Sequence, residues 1–251
     1  MGKTFRRIAG LPDLSVRSTL GEYMDDMDTG HDQLYHTLAQ FKIINYLFSR
    51  YRYLVKHYLL PRMRLMGYRE IVILDLGAGG CDFALWITRF CRKQNIKIKV
   101  FCLDTDPRAV LFGQKVCHDH DNIIVSQGSV SDIESLGVPV DFIFANHVLH
   151  HVEARYIPNL LRRVYDLSQN GFLINDLRRS YFSYIGFTLF GLIFLRGGFS
   201  FSDGRQSIRK GFIPQDLRTI VNSIGLENEI TVGTVAPGRV FLWCEKQDTG
   251  K

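Results

Sequence analysis

The chain of 251 residues has no apolar run long enough to cross a bilayer as a helix, which takes about 20 residues. Its longest uncharged stretch, Tyr181–Leu195, falls short of that. Five cysteines, Cys81, Cys91, Cys102, Cys117 and Cys244, form no C-x-x-C pair, so neither a zinc ribbon nor a disulfide framework is indicated; reduced, buried thiols are expected. No basic start leads into a long apolar stretch, and no secretory signal is expected. A net charge of +6 comes without any RNA- or DNA-reading motif, so no nucleic-acid partner is expected. Arginines stand in scattered pairs, Arg6-Arg7, Arg162-Arg163 and Arg178-Arg179, which suit solvated faces or an anionic membrane surface. These absences point to a cytoplasmic protein, with a peripheral membrane contact left open.

What is present centres on residues 71–85. Ile71–Leu74 is continuously apolar and β-branched, as expected of a strand covered on both faces. Gly77, Gly79 and Gly80 then allow a sharp turn close to a ligand. Asp82 stands where it can cap the next helix, and Phe83, Trp86, Ile87 and Phe90 recur at helical spacing. A ligand on this turn is expected to meet free backbone N–H groups and a helix N-terminus. One βαβ unit downstream, the apolar Lys99–Leu103 ends in Asp104-Thr105-Asp106-Pro107. An acidic residue there suits the ribose hydroxyls of an adenosine-type cofactor, and Asp104 is the candidate.

The pattern of elements indicates an α/β fold: a doubly wound, seven-stranded, mostly parallel sheet. Strands are predicted at 71–75, 98–103, 122–126, 140–145, 171–175, 228–235 and 239–245, and helices at 82–94, 107–118, 153–168 and 214–224. Only Ala236-Pro237-Gly238 separates the last two strands, so they form a hairpin and one runs antiparallel. The expected organisation is a mobile arm (1–20), an N-terminal helical cap (21–68) and the main domain (69–251), with a hydrophobic insertion at about 178–212. In the cap, Leu34, Leu38, Phe41, Ile44, Leu47 and Phe48 mark an apolar stripe, extended by Tyr51, Leu54, Val55 and Tyr58 until Pro61 ends or bends the helix. Arg52 is a candidate for a cofactor carboxylate or a surface ion pair. In the insertion, Tyr181–Leu195 reads as a lid over an apolar acceptor or as a membrane-resting face, and Gly197-Gly198 and Asp203-Gly204 read as loop.

Polar residues cluster after the fourth strand, at Asn146-His147-Val148-Leu149-His150-His151. Ligands bind at the carboxyl ends of parallel strands. His147 and His150, spaced i, i+3, are candidates for a general base, with His147 first because it directly follows the strand. His151 is expected to bond backbone. No set of residues shows metal-ligand spacing; His118-Asp119-His120-Asp121 reads as a solvated loop away from the site.

D-x-G-x-G at Asp75, Gly77 and Gly79 resembles the first motif of class I S-adenosylmethionine (SAM) methyltransferases, with Cys81 where the family usually has a third glycine. Counted as a dinucleotide motif, the same turn puts Asp82 at the third glycine, a poor neighbour for a pyrophosphate. M-D-D near Met24, Ile44-Asn45, N-H-V-L-H-H, N-D-L-R-R-S at Asn175–Ser180 and R-K-G-F-I-P-Q-D-L at Arg209–Leu217 narrow the likeness. They are similar to a bacterial group related to ubiquinone-type enzymes and linked to aromatic polyketide and phenolic-lipid pathways, over about residues 20–246. The resemblance implies SAM as cofactor, held by Asp75, Gly77, Ala78, Gly79, Asp104, Thr105, Gly128, Ser129, Val130 and Asn146. It implies a small hydroxylated aromatic acceptor, methylated on oxygen or on a ring carbon. A nicotinamide-dependent oxidoreductase and a non-catalytic binding module of the same fold are the alternatives.

Overall fold

The structure is a computed structural model and describes residues 11–26, 30–67, 69–195 and 199–246. The first ten residues, with Arg6-Arg7, the end of the acidic stretch at Met27-Asp28, and Gly197-Gly198 lie outside the described residues. Seven strands, β1 (Ile71–Leu76), β2 (Ile98–Asp104), β3 (Ile123–Gln127), β4 (Val140–Asn146), β5 (Ser168–Leu177), β6 (Ile230–Val235) and β7 (Arg239–Glu245), form one sheet in the order β3-β2-β1-β4-β5-β7-β6. β1 to β5 pair in parallel, and β7 runs antiparallel to both neighbours. Parallel strands need crossovers, and these supply helices on both faces. The core therefore has two halves: Ile71, Ile73, Val100 and Phe144 belong to one, and Leu74, Leu103, Ile143 and Ile174 to the other. Every second residue of β1 turns to the opposite half, as period-2 geometry requires.

The helices are α1 (His31–Phe48), α2 (Tyr51–Leu54), α3 (Leu60–Leu65), α4 (Asp82–Lys93), α5 (Pro107–Cys117), α6 (Ile157–Leu167), α7 (Tyr181–Phe194), α8 (Ser200–Lys210) and α9 (Pro214–Ser223). α6 begins four residues later than the spacing predicts, with Pro158 in its first turn, and β5 follows it with no loop. Pro61 does not end the N-terminal helical unit. A π-helical turn at Val55–Leu59 joins α2 to α3, and the chain stays helical through Pro61 to Leu65. Across this wider turn the Leu60 N–H donates to Val55 O, one residue before the proline that cannot donate.

Two further expectations change. Residues 11–20 are docked, not a free arm: Leu14 is buried with Leu177, Tyr184 and Ile208, and the Ser18 N–H donates to Arg209 O at 3.0 Å. Asp203-Gly204 lies inside α8. Gly204 is there because the Phe187 ring rests on it; a Cβ would stand 2.2 Å from Phe187 Cζ. Gly191 of α7 takes the ring of Phe201 in the same way. These glycines allow α7 and α8 to pack closely, and the insertion is a helical hairpin over the carboxyl edge of the sheet.

Candidate active site

A cavity of about 740 Å³ opens at the carboxyl ends of β1, β2, β3 and β4. All twelve residues singled out from the sequence line it: Asp75, Gly77, Ala78 and Gly79 after β1, Asp104 and Thr105 after β2, Gly128, Ser129 and Val130 after β3, and Asn146, His147 and His150 after β4. α1 covers one side through Leu38, Phe41, Lys42, Asn45 and Phe48, and α7 covers another through Phe182, Gly186 and Phe190.

The glycine turn differs in detail from expectation. Its N–H groups are engaged: Gly77 and Ala78 donate to Leu103 O (2.8 and 3.1 Å), and Gly79 donates to Asp104 Oδ2 (2.7 Å). Asp82 is the first residue of α4 and not its cap; that place is held by Cys81 with φ +57°. This left-handed conformation is the one a third glycine would favour. The Cys81 side chain fits because Gly113 of α5 leaves it room: a Cβ on Gly113 would meet Cys81 Sγ at 2.8 Å. All five cysteines are free and buried.

A phosphate would be poorly received here, and a cation well. Asp75 is buried, its Oδ2 has no hydrogen-bond partner, and burial beside Asp82 and Asp104 pushes its pKa well above the ordinary carboxylate range. Asp82 and Asp104 are raised as well, each chiefly by burial. Three buried carboxylates at one edge of the cavity fit an ammonium and a sulfonium. Asp104 is held by the N–H groups of Gly79 and Asp106 (3.0 Å), which fixes its carboxylate at the end of β2. Arg52 is not among the lining residues; its guanidinium lies 4.3 Å from the Tyr46 ring centroid. Lys42 does line the cavity and offers a cation to a ligand carboxylate. The Ser129 hydroxyl donates to Asp132 (2.9 Å) and caps the turn Val130–Leu136, so its role is first of all in shaping that loop.

The two candidate histidines have different environments. His147 Nε2 accepts from Arg239 Nη1 at 2.7 Å, since arginine can only donate. Burial, then the Arg239 charge, depress its pKa well below 6.5. Arg239 is itself buried and brought down to about 10 by desolvation. His150 Nδ1 lies 2.7 Å from Asp176 Oδ1, and Asp176 also accepts the N–H groups of His150 and Leu177. Burial works against it, but the attraction of His150 and its hydrogen bond hold the Asp176 carboxyl below its usual range, so Asp176 is the acceptor; in the neutral form of His150, Nδ1 then carries the proton and Nε2 the lone pair. Burial lowers the His150 pKa, and Asp176 partly restores it.

Spacing along the chain did not reveal Glu22, which faces His150 Nε2 at 3.9 Å from a segment more than a hundred residues away. Glu22, His150 and His151 bring ligand atoms within 4.8 Å of one another, a spacing that could hold a metal ion. Lys210 Nζ stands 3.0 Å from Glu22 Oε1 and supplies a positive charge at that point. His151 does not bond backbone as expected; its Nδ1 meets Asp25 at 3.3 Å, which raises its pKa against the effect of burial. Arg108 ties this N-terminal segment to the end of β2, donating to Met24 O and Asp26 O while pairing with Asp106. His118 Nε2 and Asp119 Oδ1 lie 3.0 Å apart, exposed and outside the cavity.

This sheet order, with the glycine turn after β1 and an acidic residue ending β2, is the class I methyltransferase fold, and it supports a SAM-dependent methyltransferase. Residues 73–171 match the family model described as methyltransferase domain. No curated protein matches the chain in sequence. Among solved structures, the plantazolicin methyltransferase BamL, crystallised with a triazolic desmethylPZN analog and SAH, aligns with TM-score 0.53 at 13% identity over 70% of this chain and 76% of its own. A SAM-dependent methyltransferase from Aquifex aeolicus aligns with TM-score 0.50 at 15% identity, over 86% of this chain and 98% of its own. The CMeT domain of the citrinin polyketide synthase reaches 0.50 at 10% identity, covering 71% of this chain and 47% of its own. At these identities the likeness is one of fold.

Two outcomes are expected from the cofactor site. Asp104→Ala should weaken SAM by more than about 1 kcal/mol, because two ribose hydroxyls lose a charged acceptor and the Gly79 N–H loses its anchor. Unchanged affinity in calorimetry would remove Asp104 from the site. SAM binding should also release protons over the pH range in which Asp75 titrates. A carboxylate with a raised pKa retains its proton, and a ligand ammonium beside Asp75 lowers that pKa again. Binding heats that do not vary with buffer ionisation enthalpy would contradict this.

Proposed function

We propose that this methyltransferase acts on a small, largely apolar aromatic acceptor and transfers the methyl group to a hydroxyl, with His150 as the base. The observation that carries the reading is the buried Asp176–His150 pair, whose imidazole lines a cavity that also has aromatic walls, with Glu22 3.9 Å from Nε2. Bound SAM supplies a methyl group made electrophilic by the adjacent sulfonium. The protein then has to align the acceptor, exclude water and remove one proton. A phenol, with a pKa near about 10, is mostly protonated at neutral pH and needs a base. His150 meets that need: Asp176 fixes its tautomer and stabilises the imidazolium that forms. His147, engaged by Arg239, suits a positioning role, which reverses the order expected from the strand end. The apolar wall of Phe48, Phe182, Phe187 and Phe190 matches an aromatic or alkyl-bearing acceptor.

Turnover with SAM over a panel of phenols, amines and carboxylates tests this reading, with NMR of the product to distinguish an O-methyl from a ring C-methyl group. A methyl ether from a phenol is the expected product. Activity confined to amines or carboxylates would overturn it. Phe190→Ser should raise the acceptor KM by about tenfold with SAM affinity intact, since Phe190 packs edge-on against Phe48 at the cavity wall. Phe187→Ser should in addition loosen the α7–α8 pair, because Phe187 fills the space over Gly204. An unchanged KM in Phe190→Ser would place the acceptor elsewhere.

A further inference from the structure

Among the described residues no helix is long and apolar enough to cross a membrane, yet α7 leaves much of its apolar surface exposed. Ile185, Leu189 and Ile193, at helical spacing, are 41%, 58% and 64% exposed. On α1, Ile43, Tyr46 and Leu47 are similarly bare, at 60%, 62% and 47%. The two helices meet at the Phe48–Phe190 contact, where the ring centroids are 4.9 Å apart, which links the exposed stripes across that pair. The same two rings line the cavity, so the apolar surface runs up to its mouth. A surface of this kind is uncommon on a protein that stays in water.

Charge identifies its partner. From Gln33 to Arg69 the sequence has no Asp or Glu and seven Lys and Arg residues, of which Arg62 pairs with Glu245 and Arg69 with Asp141. Of the others, Arg52 meets the apolar stripe directly, its guanidinium over Tyr46, and the Arg50 guanidinium lies over the exposed Tyr53 of α2, 5.1 Å from the ring centroid. Exposed tyrosines paired with arginines beside aliphatic side chains suit the boundary between lipid headgroups and acyl chains. α7 contributes no charge of either sign.

We infer that the face formed by α1 and α7 docks on a lipid bilayer rich in anionic headgroups, which sets the mouth of the cavity against the acyl region. An amphiphilic acceptor could then enter without crossing water, a consequence that rests on the proposed function; the docking does not.

Vesicle sedimentation of the full chain, without cofactor or acceptor, tests the docking. Vesicles of phosphatidylcholine with phosphatidylglycerol should carry the protein down, pure phosphatidylcholine much less so, and added salt should weaken the binding. Leu189→Ser and Ile193→Ser should each reduce partitioning by about tenfold. Arg50→Asn, a residue tolerated at the left-handed φ of +57°, should reduce it by about fivefold. S-adenosylhomocysteine affinity, measured by calorimetry, should match wild type in all three, which reports on the fold and on the methyltransferase reading separately. Failure to bind anionic vesicles overturns the inference. So does a concentration-dependent dimer in sedimentation velocity that Leu189→Ser dissolves, since the face would then join two copies of the chain.

Discussion

His150→Ala is expected to lower kcat by about 10²–10⁴-fold while SAM affinity stays at the wild-type value. The imidazole is held by Asp176 at 2.7 Å and lines the same cavity as the aromatic wall, so its loss removes the proposed proton acceptor and leaves the glycine turn and Asp104 untouched. The pH dependence follows from the direction of its shift. Burial depresses the His150 pKa, so the imidazole sheds its charge at a lower pH than a free one. The rate should rise with pH through an apparent pKa below 6.5 and be level at neutral pH. Asp176→Asn removes the attraction that partly restores this pKa, and the inflection should move lower still, with a reduced plateau. An acceptor whose hydroxyl is already acidic, such as a nitrophenol, should partly rescue His150→Ala. A larger loss in His147→Ala than in His150→Ala, with rescue by the same nitrophenol, would transfer the base to His147. Near wild-type rates in both would leave proximity as the source of catalysis.

Gly77→Ala is the second substitution with a large expected effect. Gly77 has φ +68°, and a Cβ there would stand 2.4 Å from Val148 Cγ2. The left-handed backbone costs an alanine roughly 1–2 kcal/mol. The overlap then forces either the glycine turn or the Asn146–His151 loop to move. SAM affinity should fall by more than about tenfold, because a displaced turn shifts Asp75 and the Gly79 bond to Asp104 together. Gly79→Ala is the control: its φ is +50°, with only Leu38 Cδ2 at 3.9 Å from the added carbon, so it meets backbone strain without a clash. Val148→Ala in the Gly77→Ala background should recover part of the affinity. If it recovers none, backbone strain alone accounts for the loss.

Much of this site could be read along the chain because class I sheets gather their ligand residues just after successive strands. Each such residue follows an apolar run that is easy to recognise: Asp75 to Gly79 after Ile71–Leu74, Asp104 after Val100–Leu103, His147 and His150 after Phe142–Ala145. The groups that set the chemistry of those residues were harder to see. Asp176 lies at the end of β5, visible in N-D-L-R-R but with no sign that it meets His150. Arg239 follows the hairpin turn, and its contact with His147 spans 92 residues. Glu22 comes from a segment without periodicity, pinned in place by Ser207 and Lys210 of α8. The loop expected at Asp203-Gly204 failed for a related reason: a glycine that permits a turn also permits close helix packing, and only the neighbouring Phe187 distinguishes the two.

The sequence by itself determined the order of strands and helices, the antiparallel end of the sheet and the set of residues at its carboxyl edge. These follow from local periodicity and from the right-handed crossovers that parallel strands require. Tertiary structure alone decided which charged group faces each histidine, where the counter-charges lie and which side of Tyr181–Phe194 stays bare. Proton affinity depends on burial and on charges a few ångströms away, and in this fold those neighbours arrive from β5, β7, α8 and the N-terminal segment. Distance along the chain carries no record of that proximity, and an apolar helix reads the same whether its faces meet protein, cavity or lipid.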